Sequence, residues 1–140
     1  MMSVVIPNPF IKEVCQYLAD NSGGRFTFGS GTNNLKMGEL TRGIDGVFAV
    51  QVSGVTPDLS TPIFTTQLDF WATNRNAATA YDDLQYIYQL FHQNISITTT
   101  SYDTYFSYAL GQIDDMDRDL EGRKIFKLSI LFISRNILIS

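Results

Sequence analysis

Cysteine, tryptophan and histidine each occur once in the 140 residues. A lone Cys15 cannot close an internal disulfide, which excludes a stapled secreted scaffold and leaves the thiol as a small core residue in an apolar helical stretch. Cations are few: ten Lys and Arg stand against fourteen Asp and Glu, for a net charge of −4 and a pI near 4.7. They are also scattered, and a phosphate-binding groove needs them gathered on one face, so a broad nucleic-acid surface is not expected. Long apolar runs are missing as well. The tract "ILFI" (130–133) lies between Lys127 and Arg135 and cannot span a bilayer, so no membrane partner is expected. The opening "MMSVVIPNPF" has neither a basic n-region nor a small-residue cleavage site, and we expect a protein made and used inside a cell.

The signatures of catalysis are absent too. There is no Gly-x-Ser-x-Gly elbow and no His-Glu-x-x-His, and Cys15 has no second cysteine for redox work. His92, at the end of an expected helix, titrates in a useful range but has no nucleophile or orienting acid assigned to it. The Gly-x-Gly at Gly29 and Gly31 is not followed by Gly-Lys-Ser/Thr and reads as a flexible turn. We therefore expect no enzyme activity, no catalytic residue, no metal and no cofactor.

What the chain does contain is the material of one ordinary globular domain, covering residues 1–140: 44% hydrophobic residues, 17% charged, ten Phe and seven Tyr. "NPFIKEVCQYLADNSGG" (8–24) predicts an amphipathic helix with Asn8 as cap and Pro9 in the first helical position. Phe10, Ile11, Val14 and Leu18 share its inner face, and Asn21 with Gly23 and Gly24 ends it. Phe26 and Phe28 alternate as an edge strand would, ahead of a Gly- and Asn-rich loop. "GVFAVQVSG" (46–54) predicts a strand buried on both sides, with Phe48, Val50 and Val52 on one face. "IFTTQLDFWA" (63–72) predicts a strand with Phe64, Thr66, Leu68 and Phe70 inward and Thr65, Gln67 and Asp69 on a wetter face. The intervening "VTPDLSTP" has two prolines and cannot be interior strand.

"TNRNAATAYDDLQYIYQLFHQN" (73–94) predicts the second helix, capped by Asn74 or Asn76, with Ala77, Ala80, Leu84, Ile87 and Phe91 inward and Asn94 as a left-handed stop. "YDTYFSYAL" (102–110) predicts a strand with Tyr102, Phe106, Tyr108 and Leu110 on one side. "RKIFKLSILFIS" (123–134) predicts another with Phe126, Leu128, Ile130 and Phe132 on one side. The expected fold class is α+β: a mixed, mainly antiparallel sheet with two amphipathic helices packed on it, ending in a long β-hairpin.

Five of the fourteen acids crowd into eight positions: Asp114, Asp115, Asp117, Asp119 and Glu121. A helix-loop-helix calcium site starting at Asp115 would find Asp117 and Asp119 correctly spaced. It would then meet Leu120 where Gly is needed and Phe126 where a bidentate Glu is needed. With strands on both sides and Gly122 available for φ > 0, the run reads as the reversal of an antiparallel hairpin with solvated carboxylates. A weak cation contact and a catalytic cluster remain the alternatives. Exposed aromatic residues mark protein contacts: Tyr81, Tyr86 and Tyr88 cannot all face inward, and Trp71 falls on the wetter face of its strand. Thr65, Gln67, Asp69, Trp71 and Tyr86 are the candidate subunit or partner contacts.

In order along the chain, the first helix, "GTNNLKMGEL" (31–40), "GVFAVQVSG", "IFTTQLDFWATNRNAATAYDDLQYIYQLF" and "LGQIDDMDRDLEGRKIFKLSILFISRN" resemble the tail terminator (tail completion, or minor capsid) proteins of long-tailed bacteriophages. The resemblance covers most of the chain and includes the family's Leu-Gly, acidic turn, Gly-Arg and final strand. It departs at "QVSGVTPDLST", where a single Gly54 precedes Pro57 in place of a Gly-Gly-Pro loop. The resemblance implies a small, non-enzymatic α+β protein of the virion, assembled in the host cytoplasm. It implies a homo-oligomeric ring, commonly a hexamer, at the head-proximal end of the tail. Such a ring stops polymerisation of the tail tube protein, meets the head completion or connector protein, and touches DNA only by its passage through the lumen. The acidic loop, Asp114 to Glu121, would then line the lumen or the rim, where like charge lets DNA slide. Alternatives are a head-completion or tube-like part of the same machinery, or a small cation-dependent protein using Asp115, Asp117 and Asp119.

Overall fold

The strongest β pattern in the chain, "KIFKLSILFISRN", is a 13-residue strand around which the other elements are arranged. The computed structural model describes residues 9–29, 33–38, 44–54 and 63–137. Along the chain these form α1 (Phe10–Asp20), β1 (Leu35–Met37), β2 (Gly46–Gly54), β3 (Ile63–Asn74), α2 (Ala77–Phe91), β4 (Ile97–Thr98), β5 (Tyr102–Ala109), β6 (Asp114–Arg118) and β7 (Lys124–Asn136). The sheet order is β1-β2-β3-β7-β5-β4, and β6 pairs with β7 on its own. Only β1 and β2 run parallel. The expected architecture is what is found: two helices on a seven-stranded, mixed, mostly antiparallel curled sheet, with long β7 bonded to β6.

Both helices lie on one face of the sheet, because both carry a single apolar stripe. From α1, Phe10, Val14, Cys15 and Leu18 are buried, and from α2, Ala80, Leu84, Ile87 and Phe91. They meet Phe64, Leu68, Phe70 and Ala72 of β3 and Leu128, Ile130 and Phe132 of β7. Burying each large side chain is worth about 1.5–3 kcal/mol, which outweighs the small differences in helix propensity. The aromatic rings also meet in favourable geometry: Phe10 stands edge-on to Phe64, Tyr102 and Phe132 at 5.3, 5.3 and 5.5 Å. Phe91 lies parallel to Phe70 at 6.1 Å and edge-on to Phe132 at 5.2 Å. Cys15 is the core residue expected, and burial pushes its thiol up to about 12.

Asn76 caps α2 by accepting from the Ala78 N–H at 3.0 Å, and Asn74 accepts from the N–H of Asn76. At the other end the left-handed residue is Gln93 (φ 56), one position before the expected Asn94. Asn94 instead donates its Nδ2 to the Leu90 carbonyl and pairs with Ser107, tying the helix exit to β5. Helix α1 begins at Phe10, with Pro9 outside it in an extended conformation (φ −54, ψ 140). Its carbonyl accepts from Lys12 and Glu13, so Pro9 is the cap and not the first helical residue; Asn8 lies outside the described residues.

Four further expectations are corrected. Phe26 and Phe28 are in no strand: Ser22 Oγ accepts from the Phe26 N–H, and the Asn34 side chain bonds Thr27 N and the Arg25 carbonyl, so local side chains satisfy this backbone. The edge strand is Leu35–Met37 instead. β2 is buried on both faces only at Val47, Phe48 and Ala49; Val52 is 53% exposed beside a register shift between Gln51 and Ser53. In β5 a second shift, between Thr104 and Phe106, leaves Tyr105 without a partner and inverts the alternation. Tyr102, Thr104 and Ser107 therefore face the core side, while Phe106 and Tyr108 face away.

One close approach constrains the β1–β2 pairing. Gly46 has φ +150, and a Cβ there would lie 2.8 Å from the carbonyl oxygen of Asn34, which accepts from the Val47 N–H. Gly46→Ala should destabilise the protein by about 1–3 kcal/mol through backbone strain alone, and by more once the collision is relieved by shifting β1. The measurement is the urea midpoint, and an unchanged midpoint contradicts the account. Asn76→Ala should cost about 1 kcal/mol in the same assay through loss of the cap.

Candidate interaction surface

The strict alternation of a strand sends residues i, i+2 and i+4 to one side. On β3 this puts Phe64, Thr66, Leu68 and Phe70 under the helices and Thr65, Gln67, Asp69 and Trp71 on the opposite face, as expected. Neither described helix covers that second face. Its residues form rows across the strands: Ile63 with Arg135 and Asp103; Thr65 with Ile133 and Phe106; Gln67 with Leu131 and Tyr108; Asp69 with Ser129 and Val50. Its last row runs across five strands as Lys36, Phe48, Trp71, Lys127 and Asp114. In it the Lys36 ammonium lies 5.9 Å from the centre of the Phe48 ring and the Lys127 ammonium 5.5 Å from that of Trp71. Contacts of this kind are worth about 0.5–1 kcal/mol at exposed sites. Neither lysine forms an ion pair among the described residues.

Asp69 is the exception on this face. It is only 7% exposed, and its Oδ1 accepts from Ser129 Oγ at 2.6 Å and from Gln67 Nε2 at 3.3 Å. It clasps β3 to β7 from the outside, so the contact positions left accessible are Thr65, Gln67 and Trp71. Phe48 is also buried, yet it stands apart from the main core. The chain before β2 folds over this corner: Thr73 Oγ1 donates to the Ile44 carbonyl, and Asp45 pairs with Arg123.

The acidic run forms β6 and the turn into β7, the hairpin the residues predict. Its reversal is built on Asp119. That carboxylate accepts from the Glu121 and Arg123 N–H groups at 2.9 and 2.8 Å, while the Asp119 N–H donates to the Arg123 carbonyl and the Gly122 N–H to the Asp119 carbonyl. Gly122 takes φ +82 at no steric cost. Arg118 donates to the Gly122 carbonyl, and Arg123 pairs with both Asp45 and Glu121. Lys124 pairs with Asp115, which also accepts from the Asp117 N–H. The Lys124 ammonium, more than any other neighbour, holds the Asp115 carboxyl below its ordinary value. Asp117 likewise accepts from the Arg118 N–H, so four of the five carboxylates each use an oxygen within the hairpin. Among the described residues no three His, Cys, Asp or Glu gather where they could share a metal ion. At the apex Leu120 is 98% exposed.

The remaining candidates lie elsewhere. Tyr86 is on the helical side of the sheet, where its hydroxyl donates to the Asn21 carbonyl and its ring packs against Phe26 and Arg25; it joins α2 to the end of α1 and is not brought to the Trp71 face. Tyr81 packs edge-on against Phe126. His92 stacks on Tyr88 at 4.6 Å, and its Nδ1 accepts from the Ala109 N–H at 3.1 Å, a tie between α2 and β5. A hollow of about 550 Å³ lies between α1 and Thr98–Thr100. There the buried Glu13 accepts from the Ser101 N–H at 2.8 Å, and burial followed by the Glu13 charge pushes the Tyr102 phenol up to about 12. The residues of this face and of the hairpin that single-strand reading missed are Lys36, Lys127 and Arg123. Lys127 was signalled by its place between inward Phe126 and Leu128, which turns it to the bare face.

No protein-family model matches the chain, and a search of curated proteins finds no match.

The hairpin makes a pH prediction. The Arg123 N–H, with the Glu121 N–H and the Arg123 and Arg75 charges, holds the Asp119 carboxyl below its ordinary value of 3.8. A depressed carboxyl stabilises the folded state at pH above its unfolded value, and that contribution is lost as pH falls through the lower folded value. Between about pH 5 and pH 2 the melting temperature of the native chain should therefore fall more steeply than that of Asp119→Asn, the two curves converging at the acid end. Parallel curves contradict this role for Asp119.

Proposed function

We propose that the chain is a structural part of the neck of a long-tailed phage: a ring protein, hexameric as the resemblance implies, that ends tail tube growth and offers a second surface to the head connector. The observation that supports it best is the one-sided cover of the sheet. An uncovered face with a half-exposed tryptophan, and exposed apolar side chains spread around the molecule at Met37, Ile63, Ile95, Tyr105, Leu110 and Leu120, give one small domain several separate contact areas. A ring component needs such areas: two for its neighbours in the ring and one each for the structures above and below. The element order also suits the reading, with β3 running almost directly into α2 and a Leu-Gly, acidic turn, Gly-Arg passage entering the last strand. In this role the protein acts by shape, and DNA is touched only as it passes through the lumen.

Size-exclusion chromatography with light scattering, followed by negative-stain microscopy, tests the reading with and without purified tail tubes. Closed rings in solution, or caps at one end of the tubes, are the expected result. Long self-polymerised tubes would favour a tube-like role. A chain that stays monomeric in both conditions removes the ring, and a heat of calcium or magnesium binding would favour the cation-binding alternative.

A further inference from the structure

The hollow between α1 and the turn from β4 to β5 contains a carboxylate oxygen that no group engages. Lys12, Glu13, Gln16 and Asp20 share one side of α1, and Thr98, Thr99 and Thr100 form the opposite wall. Glu13 is 6% exposed; its Oε1 accepts from the Ser101 N–H, whereas its Oε2 is buried and has no hydrogen-bond partner. A buried carboxylate oxygen needs a donor, and the neighbouring cation does not supply one: Lys12 forms no ion pair among the described residues. The rest of the lining also offers oxygen. Gln16 donates its Nε2 to Asp20, Thr98 its hydroxyl to Asp103 and Thr99 its hydroxyl to the Tyr102 carbonyl, so each of these side chains keeps an oxygen for accepting. Lys12 against Glu13 and Asp20 leaves the lining one negative charge in excess. Its volume of about 550 Å³ is that of a small-ligand site, for which about 300–1,000 Å³ is usual.

We propose that this hollow binds an organic cation bearing N–H donors, an alkylammonium or guanidinium group, with Glu13 Oε2 as its main acceptor and the hydroxyl oxygens of Thr98 and Thr99 opposite. A positively charged donor is what the site lacks: it satisfies the orphaned oxygen by a charge-assisted hydrogen bond and cancels the excess charge of the lining. A metal ion is poorly served there, since no three His, Cys, Asp or Glu gather among the described residues. Entry requires a side chain at the rim to turn aside. Lys12 and Thr100 are exposed, and their side chains form no hydrogen bond among the described residues, so both are free to change rotamer. The cationic group arrives on a free amine or at the end of a lysine or arginine of another chain; the chemistry is shared, and it does not depend on the ring reading.

Amide NMR spectra of the native chain, titrated with n-butylammonium chloride, test the site. The Thr99 and Ser101 amide signals should shift saturably, while n-butanol or sodium chloride at the same concentration leaves them in place. Glu13→Gln keeps an oxygen for the Ser101 N–H and removes the charge, so the affinity for butylammonium should fall about tenfold or more. Thr100→Lys leaves Glu13 untouched and brings a tethered ammonium to the rim, where it should block the free one; if Glu13→Gln does not fold, this second variant decides. No saturable shift in the native chain, an equal shift with n-butanol, or undiminished affinity in either folded variant overturns the proposal. Light scattering on the native chain separates the sources. Oligomers that butylammonium dissociates and sodium chloride does not would place a lysine or arginine of another chain in the hollow, and an unchanged state of assembly assigns it to a free amine.

Discussion

The structure depends on the pairing of β3 with β7, twelve consecutive residue pairs from Ile63 with Arg135 to Asn74 with Lys124 and no bulge among them. Each strand alternates, so this register decides at once which side chains meet the helices and which face outward. A slip of β7 by one residue would carry Leu128, Ile130 and Phe132 into water and turn Lys127 and Arg135 to the helical side. Burial of the aromatic cluster around Phe10, Phe91 and Phe132 opposes that slip from one side. The Asp69–Ser129 hydrogen bond opposes it from the other. The bulges fall in β2 and β5, on either side of this pair, where the sheet can bend without disturbing it.

With that register set, the hairpin follows. β7 extends past the end of β5, and its first residues would present an unpaired edge if β6 did not cover them. Such an edge is a template for unwanted pairing, and short, charged strands are a common way to blunt it. β6 is five residues long and wholly exposed, and three of its residues are aspartates. The acidic density that suggests a cation site in the sequence is therefore explained by an edge strand and by a turn that uses Asp119 as its template. Arg123 then ties the turn to Asp45, beside the close approach at Gly46, so the two ends of the molecule's covered corner reinforce each other.

The long elements were legible because their patterns are repeated enough to be unambiguous: the stripe of α2, the alternation of β3 and that of β7. Short strands were not. Leu35–Met37 and Ile97–Thr98 hold too few residues to show a period and exist because β2 and β5 offer them an edge. Tyr102 was grouped on one side with Phe106 and Tyr108 because a bulge costs one residue and leaves no mark in composition. The candidate face was half visible. Thr65, Gln67 and Trp71 could be read from β3 alone, whereas the row from Lys36 to Asp114 joins five strands distant in sequence and needs their registers. Asp69 looked wet because its type is polar; its cover comes from Ser129, sixty residues later.

The polar and reactive groups of the interior are held within the fold. Burial raises the Cys15 thiol to about 12, far above the range where a thiolate is present near neutral pH. The His92 ring nitrogen is engaged by the Ala109 backbone. Asp69, Asp115 and Asp119 hold strands and a turn together, and Glu13 holds α1 to the start of β5. Apart from the buried Cys15, each of these groups has a hydrogen-bond or ion-pair partner within the fold. What stands out on the described surface is of another kind: an apolar knob at Leu120 and a partly covered tryptophan beside Lys127. Those are the means by which one protein surface recognises another.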